Sequence, residues 1–231
     1  MQNNVLENAE SISLSTEIVE VKDRSLIDKR KIFLTVKRTS DVVISSVTII
    51  ILMPLLLLIG ILIKIDSKGP VMYKQKRIGK NGKYFMIYKF RTMVTDSQNF
   101  KKYFSSEQMK EYKENYKVKD DPRITKIGKI LRKTSLDELP QLINILKGDL
   151  SIIGPRPVVD SEIEKYGIHK DKFLSVTPGL TGNWAANGRS CTTYDERMKL
   201  ELDYVDNMSF KKDMQVFVKT IITVLSRKGA V

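Results

Sequence analysis

Between Val42 and Ile63 the chain carries 22 consecutive residues without a charge. As a helix such a run is roughly 33 Å long, enough to cross the hydrocarbon of a bilayer, and ordinary soluble domains seldom contain one. A cleaved leader does not fit, because some forty residues precede the run and no small-residue cleavage site follows it. Pro54 stands at its centre, where a missing N–H and a ring clash favour a bend, and Ser45 and Ser46 could satisfy backbone groups freed by a break. Cations flank both ends: Lys22, Arg24, Lys29, Arg30, Lys31, Lys37 and Arg38 before, and Lys64, Lys68, Lys74, Lys76, Arg77, Lys80 and Lys83 after. Positive flanks prefer the cytoplasmic side, so a re-entrant helix, entering and returning on one face, accommodates both clusters better than a span. A spanning helix and a buried helix of a soluble protein are the alternatives.

The first 30 residues are polar and free of aromatics, and read as a disordered tail; residues 31–66 form the hydrophobic helix and 67–231 the remaining domain. A formal net charge of +13 suits a phosphate-bearing partner, whether nucleotide, anionic lipid or nucleic acid. One cysteine, Cys191, excludes an internal disulfide framework, and one histidine, His169, makes a zinc site or a serine–histidine triad a poor fit. Chemistry here must come from carboxylates, hydroxyls and cations. No glycine-rich phosphate loop or dinucleotide fingerprint is present.

Beyond the hydrophobic helix, Val71, Tyr73, Tyr84, Met86 and Tyr88 alternate on either side of Asn81-Gly82, which predicts a β-hairpin. It ends in KFRTM (Lys89–Met93), readable as a solvated edge strand or as paired cations at a strand end. Residues 101–118 are polar with scattered aromatics and show no chemistry. DPRIT (Asp121–Thr125) and a basic stretch holding Arg132 and Lys133 lead into SLDELPQL, where Ser135 and Glu138 have capping-box spacing and Leu136, Leu139, Leu142, Ile143 and Leu146 keep helical period.

That spacing places Asp137 and Glu138 in a helix's first turn, where acids commonly do no more than complement the helix dipole. Their cationic setting permits a second reading. One carboxylate could attack phosphorus while its neighbour holds Mg²⁺, with arginine and lysine completing a charge clamp. GPRP (Gly154–Pro157) presents Arg156 between two prolines, or simply stops a helix. TPGLTGNWAANGRS (Thr177–Ser190) is turn-rich enough to admit a nucleotide close to its backbone, and ends with Arg189. Residues 210–225 predict an amphipathic helix that either lies on a membrane surface or closes the core.

The order of these pieces, a Pro-interrupted hydrophobic segment, KFRTM, DPRIT, SLDELPQL, GDLSIIGPRP and PGLTG to GR, resembles the bacterial monotopic phosphoglycosyl transferases from about Lys37 to the C-terminus. The resemblance implies a mainly α fold with a small β-hairpin (α+β), membrane-monotopic on the cytoplasmic face of the bacterial membrane through a re-entrant, Pro-broken helix. It implies Mg²⁺-dependent transfer of a sugar-1-phosphate from a nucleotide-sugar, by resemblance a uridine diphosphate sugar, to a polyprenyl phosphate. On this pattern Asp137 matches the nucleophile and Glu138 its partner, the two acids being the metal ligands. Arg132 matches the position near the lipid phosphate, and Lys89, Arg91, Arg156 and Arg189 match positions associated with substrate charge. Membrane lipid is the implied environment, nucleic acid is not an implied partner, and a homodimer is open. Met53 replaces the serine that members often carry before the proline, and NWAAN (Asn183–Asn187) departs from glutamine-containing versions. With only a polar tail ahead of the hydrophobic helix, the chain resembles the short form. The competing class is a non-enzymatic, membrane-tethered basic module, in which neutralising Asp137 would leave binding intact.

Overall fold

The computed structural model describes the backbone of residues 2–115, 118–187 and 192–225, and side chains over 28–113, 118–187 and 192–223. The chain divides into two compact units, Met1–Ser40 and Asp41–Val231. The described part of the first is helical throughout, the beginning of α1 (Gln2–Asp66), where the sequence suggests a disordered tail. In the second unit α1 continues through Pro54 as uninterrupted helix, so proline does not divide it into two helices. Spanning helices tolerate such a residue when one missing backbone bond is the whole cost. The stretch Asp28–Asp66 is long and apolar enough to cross a membrane.

After α1 come β1 (Met72–Ile78) and β2 (Tyr84–Phe90), paired antiparallel from Met72↔Phe90 to Ile78↔Tyr84. The hairpin is the expected one: Asn81 (φ 56°) and Gly82 (φ 74°) supply the left-handed conformations its tight loop requires. Short helices follow, α2 (Phe100–Tyr103), α3 (Ser106–Asn115), α4 (Lys126–Thr134) and α5 (Gln141–Lys147). Then come β3 (Ser151–Ile153), α6 (Asp160–Ile163), α7 (Lys170–Leu174), β4 (Gly179–Thr181), α8 (Asn183–Ala186), α9 (Tyr194–Asp206) and α10 (Phe210–Leu225). The architecture is mainly helical with a small two-stranded sheet, as expected. A second strand pair, β3 with β4 in parallel register Ser151↔Gly179 and Ile153↔Thr181, is an addition to that reading.

The core lies where α1 meets the hairpin and the helices behind it. Ile59 and Ile63 of α1 are buried with Phe90 and Leu131, and Ile87 with Leu142, Ile145 and Leu150. Polar contacts fix the relative position of these layers. Buried Asn144 on α5 donates to the Met86 carbonyl at 2.8 Å and accepts from the Tyr88 amide at 3.0 Å, pinning α5 to β2. At the other edge Asp66, the last residue of α1, accepts from the Ile127 amide at 3.0 Å in the first turn of α4, an acid meeting the positive end of a helix.

Three aromatic residues between 100 and 112, without evident purpose in the sequence, form a cage. The Arg123 guanidinium lies 4.4 to 5.3 Å from the ring centroids of Phe100, Phe104 and Tyr112 and is paired with Asp121 at 2.6 Å. DPRIT is therefore a structural clasp of cation–π contacts with a buried ion pair. The last helix, α10, closes the core with one side and leaves apolar residues exposed on another. Val216 is buried with Tyr204 and Ile153, while Met214, Phe217, Val218, Ile221 and Ile222 remain exposed.

Candidate active site

Two strands and one turn build the site. In the hairpin Arg77 pairs with Phe85, Gln75 with Ile87 and Tyr73 with Lys89. Directly opposed residues share a face, and alternate residues along a strand do too, so Arg77, Ile87 and Lys89 point to the same side. All three line a cleft whose other walls are Glu138, Gln141, Arg156 and the backbone around Gly179. Lys74 and Lys76 occupy the opposite face, over the rings of Tyr88 and Tyr84.

The acids arrive differently from the expected helix start. Ser135 is left-handed (φ 57°) and ends α4, its side chain makes no cap, and Leu136–Glu138 form a single 3₁₀ turn before α5. The Glu138 amide bonds to the Ser135 carbonyl, not to its hydroxyl. A capping box needs an extended Ser135 opening an α-helix that runs on through Glu138. Here Pro140, lacking an N–H to bond Leu136, starts the α-helix only after itself. Asp137 and Glu138 thus occupy a tight elbow between two helices instead of one helix's first turn.

At this elbow Glu138 pairs with Lys89 at 2.7 Å, both side chains about three-quarters buried. The Asp137 carboxyl is pushed above the usual carboxylate range, chiefly by burial and further by Glu138, while Lys89 and Arg132 draw it back. Arg132 is held from the other side, its Nε donating to Thr92 Oγ1 at 2.9 Å. One turn earlier on α4, Gly128 makes this reach attainable, since a Cβ there would lie 2.1 Å from the Thr92 carbonyl oxygen. Asp137, Glu138, Lys89 and Arg132 are therefore brought together, with Arg156 on the same cleft.

Arg91 is not. It is buried at the C-terminus of α1, donating to the carbonyls of Ser67 (2.8 Å), Ile63 and Lys68. A helix end presents carbonyls and partial negative charge, and a guanidinium satisfies both. The second cation of KFRTM is a helix clasp here: Arg91 stands just past the end of β2, two residues from Lys89, and its guanidinium goes to the end of α1 instead of the cleft. Arg189 lies outside the described residues. The glycines of PGLTG, of which Gly179 borders the cleft, are also required for close packing: a Cβ on Gly179 would meet Gly154 N at 2.1 Å, and one on Gly182 would meet the Gly154 carbonyl at the same distance. Close approach serves the packing of β4 against β3 and the GPRP segment that follows it. Trp184 donates to Thr192 Oγ1 at 2.7 Å, and the guanidiniums of Arg156 and Arg197 lie 5.5 and 4.7 Å from its ring.

Sequence reasoning missed Arg77, Arg197 and Glu201. Hairpin register, legible from Asn81-Gly82, would have placed Arg77 with Lys89; nothing local marks the other two. Glu201 is fully buried, its Oε1 accepting from the Arg156 amide at 3.1 Å. Burial pushes its pKa up to about 7, against the pull of the Arg156 amide and of Arg197 and Arg156. The folded chain thus keeps a proton that the unfolded chain, with an ordinary value of 4.5, has released. Stability falls as pH rises between those values and is flat above them, by on the order of 3 kcal/mol from this group. Glu201→Gln is expected to lose that dependence. Denaturation midpoints of wild type and variant should converge near pH 5 and separate near pH 8, with the variant the more stable.

Two adjacent carboxylates suit Mg²⁺, which binds through one or two such groups and completes its shell with water and phosphate oxygens. Among the described residues no cluster of three or more metal-ligating side chains occurs.

Comparison with known proteins identifies the family. The model of the family described as bacterial sugar transferase matches residues 32–227. The chain is 43% identical over 197 residues to the undecaprenyl-phosphate galactose phosphotransferase of Salmonella typhimurium, covering 84% of this chain and 41% of that protein. It is 42% identical to the exopolysaccharide production protein ExoY of Sinorhizobium fredii, with 84% and 87% covered. It is 36% identical to a UDP-N-acetylgalactosamine-undecaprenyl-phosphate N-acetylgalactosaminephosphotransferase of Aeromonas hydrophila, with 86% and 46% covered. The chain spans about two fifths of the Salmonella relative and of an uncharacterized sugar transferase of Haemophilus influenzae. With a family match over most of its length and with relatives above 40% identity, this chain belongs to the bacterial sugar transferases.

Proposed function

We propose that the chain transfers a sugar-1-phosphate from a nucleoside diphosphate sugar to undecaprenyl phosphate, priming the synthesis of a polysaccharide or glycoconjugate. The observation that carries this reading is the elbow that sets Asp137 beside Glu138, Lys89 and Arg132. In the first step an oxygen of ionised Asp137 attacks the sugar-bearing phosphorus. The Asp–O–P bond forms, the bridging P–O bond breaks and the nucleoside monophosphate leaves with the electron pair. In the second, an oxygen of the lipid phosphate attacks the same phosphorus and Asp137 departs as carboxylate. Lys89 and Arg132 stabilise the charge on the phosphoryl oxygens, in a setting partly removed from water where such contacts are strongest. Mg²⁺, held by Asp137 and Glu138, would supply further neutralisation of those oxygens when bound.

A membrane site suits the acceptor and the surface of α1. Ile50 and Ile51 are 71% and 69% exposed, Leu57 62% and Ile65 77%, a contiguous apolar area that water disfavours and lipid accepts. Balanced cationic flanks favour the cytoplasmic face for both ends of the apolar stretch, and a re-entrant course would require α1, continuous through Pro54, to bend there. Names of relatives supply the carrier and, for two of them, galactose and N-acetylgalactosamine as sugars. The test is release of uridine monophosphate from a panel of uridine diphosphate sugars by the purified protein with undecaprenyl phosphate and Mg²⁺. Release with one sugar, abolished by chelation, is expected. No release with any sugar, from protein shown to be folded, sinks the reading.

A further inference from the structure

The cleft holds more positive charge than the proposed chemistry uses. Arg77, Arg156 and Arg197 stand close enough that Arg156 and then Arg197 follow burial among the causes lowering Arg77's proton affinity, with Glu162 opposing them. Against these three guanidiniums are two carboxylates. Glu162 lies 3.5 Å from Arg77 and 3.3 Å from Arg197, and Glu201 is the buried acid whose ionisation burial disfavours. The group is therefore cationic in excess, and like charges gathered out of water are costly unless an anion completes them.

Arg77 is oriented for that anion. Its Nη2 donates to Gln75 Oε1 at 2.8 Å and its Nη1 to the Pro157 carbonyl at 3.3 Å, contacts that fix the guanidinium plane between the hairpin and GPRP. A guanidinium has five N–H donors, so donors remain for a ligand. It shares the cleft with Lys89, Glu138 and Arg156. Behind them, Arg197 is nine-tenths buried with Nε and Nη2 lacking partners, and serves as fixed positive charge under Trp184.

We propose that Arg77 is a substrate-binding residue, forming with Arg156 a guanidinium clamp on the phosphate oxygens of the nucleoside diphosphate donor. The identity of the donor rests on the transfer reaction proposed above; the phosphate site does not. Bidentate arginine contacts to phosphate are worth on the order of tenfold or more in affinity.

The test is calorimetric titration of the full chain in detergent with inorganic pyrophosphate, uridine diphosphate and farnesyl phosphate, for wild type, Arg77→Gln, Arg77→Lys and Lys76→Gln. Lys76 removes an equal charge from the opposite face of the same strand. Pyrophosphate and uridine diphosphate are expected to bind wild type and Lys76→Gln alike and to weaken on the order of tenfold in both Arg77 variants, with farnesyl phosphate unaffected. If Arg77→Gln does not fold, Arg77→Lys, which keeps the charge but loses the fork, carries the comparison. No binding of pyrophosphate to wild type, or equal binding to the Arg77 variants, overturns the site; weakening confined to farnesyl phosphate overturns the donor assignment. Pyrophosphate binding that depends on Arg77 in a protein that turns over no sugar nucleotide would leave the clamp standing and remove the transferase reading.

Discussion

Asp137→Asn is expected to reduce nucleoside monophosphate release by on the order of 10⁴-fold or more, the scale on which loss of a covalent nucleophile acts. Asparagine keeps the volume and one oxygen of aspartate, but an amide oxygen is a poor nucleophile for phosphorus. The loss should come without loss of fold. Because burial and Glu138 together hold the Asp137 carboxyl above its usual range, its ionised form is disfavoured by the folded structure. Above that range the variant should be at least as stable as wild type. The same shift sets the acid limb of the activity. Turnover needs the carboxylate, so it should fall with decreasing pH at values above those of an exposed aspartate, and binding of Mg²⁺ should move that limb downward. Single-turnover assays with radiolabelled donor sugar, quenched in acid, would reveal label on wild-type protein and none on the variant. Retention of a tenth or more of the activity by the variant would remove Asp137 from the role of nucleophile.

The largest structural effect is expected at Gly179. A Cβ there would sit 2.1 Å from Gly154 N, 2.4 Å from the Thr181 carbonyl oxygen and 2.6 Å from Gly154 Cα, all backbone atoms that no rotamer change can move. Gly179→Ala should therefore cost about 3 kcal/mol or more, at or beyond the upper end for an added methyl in a packed interior, because two strands must separate. Those strands carry Arg156 to the cleft, so any folded remainder should also bind donor weakly. Gly82→Ala is the useful contrast. Its φ of 74° is unfavourable to alanine, yet no atom lies within 4 Å of the added methyl, and a cost of about 1–2 kcal/mol is expected. Thermal or denaturant unfolding of both variants measures the difference. Similar costs would mean that β3 and β4 can part, and that the glycines serve conformational freedom and not close approach.

The sequence by itself determined the β-hairpin, because Asn81-Gly82 between alternating strands is a local conformational demand. It determined the apolar helix by length, and it pointed to Asp137, Glu138, Lys89, Arg132 and Arg156 through a motif order specific enough to name a family. What it did not determine depends on contacts between distant residues. Arg91 and Lys89 are two residues apart and read as a pair of like cations, but only packing reveals that one meets the carbonyls of a helix end and the other a carboxylate. Ser135 and Glu138 have capping-box spacing, yet the turn they form is decided by Pro140 and by the fit of α4 and α5 against the hairpin. The glycines of PGLTG look like an open loop until Gly154, some 25 residues earlier, is seen to lie against them. Arg77 comes from β1 and Arg197 and Glu201 from α9, more than a hundred residues later, and the balance of charge among them exists only once the chain has brought them out of water together. Local conformational preference is written residue by residue, whereas a charge cluster is a property of tertiary proximity, and that is why the fold was needed to find it.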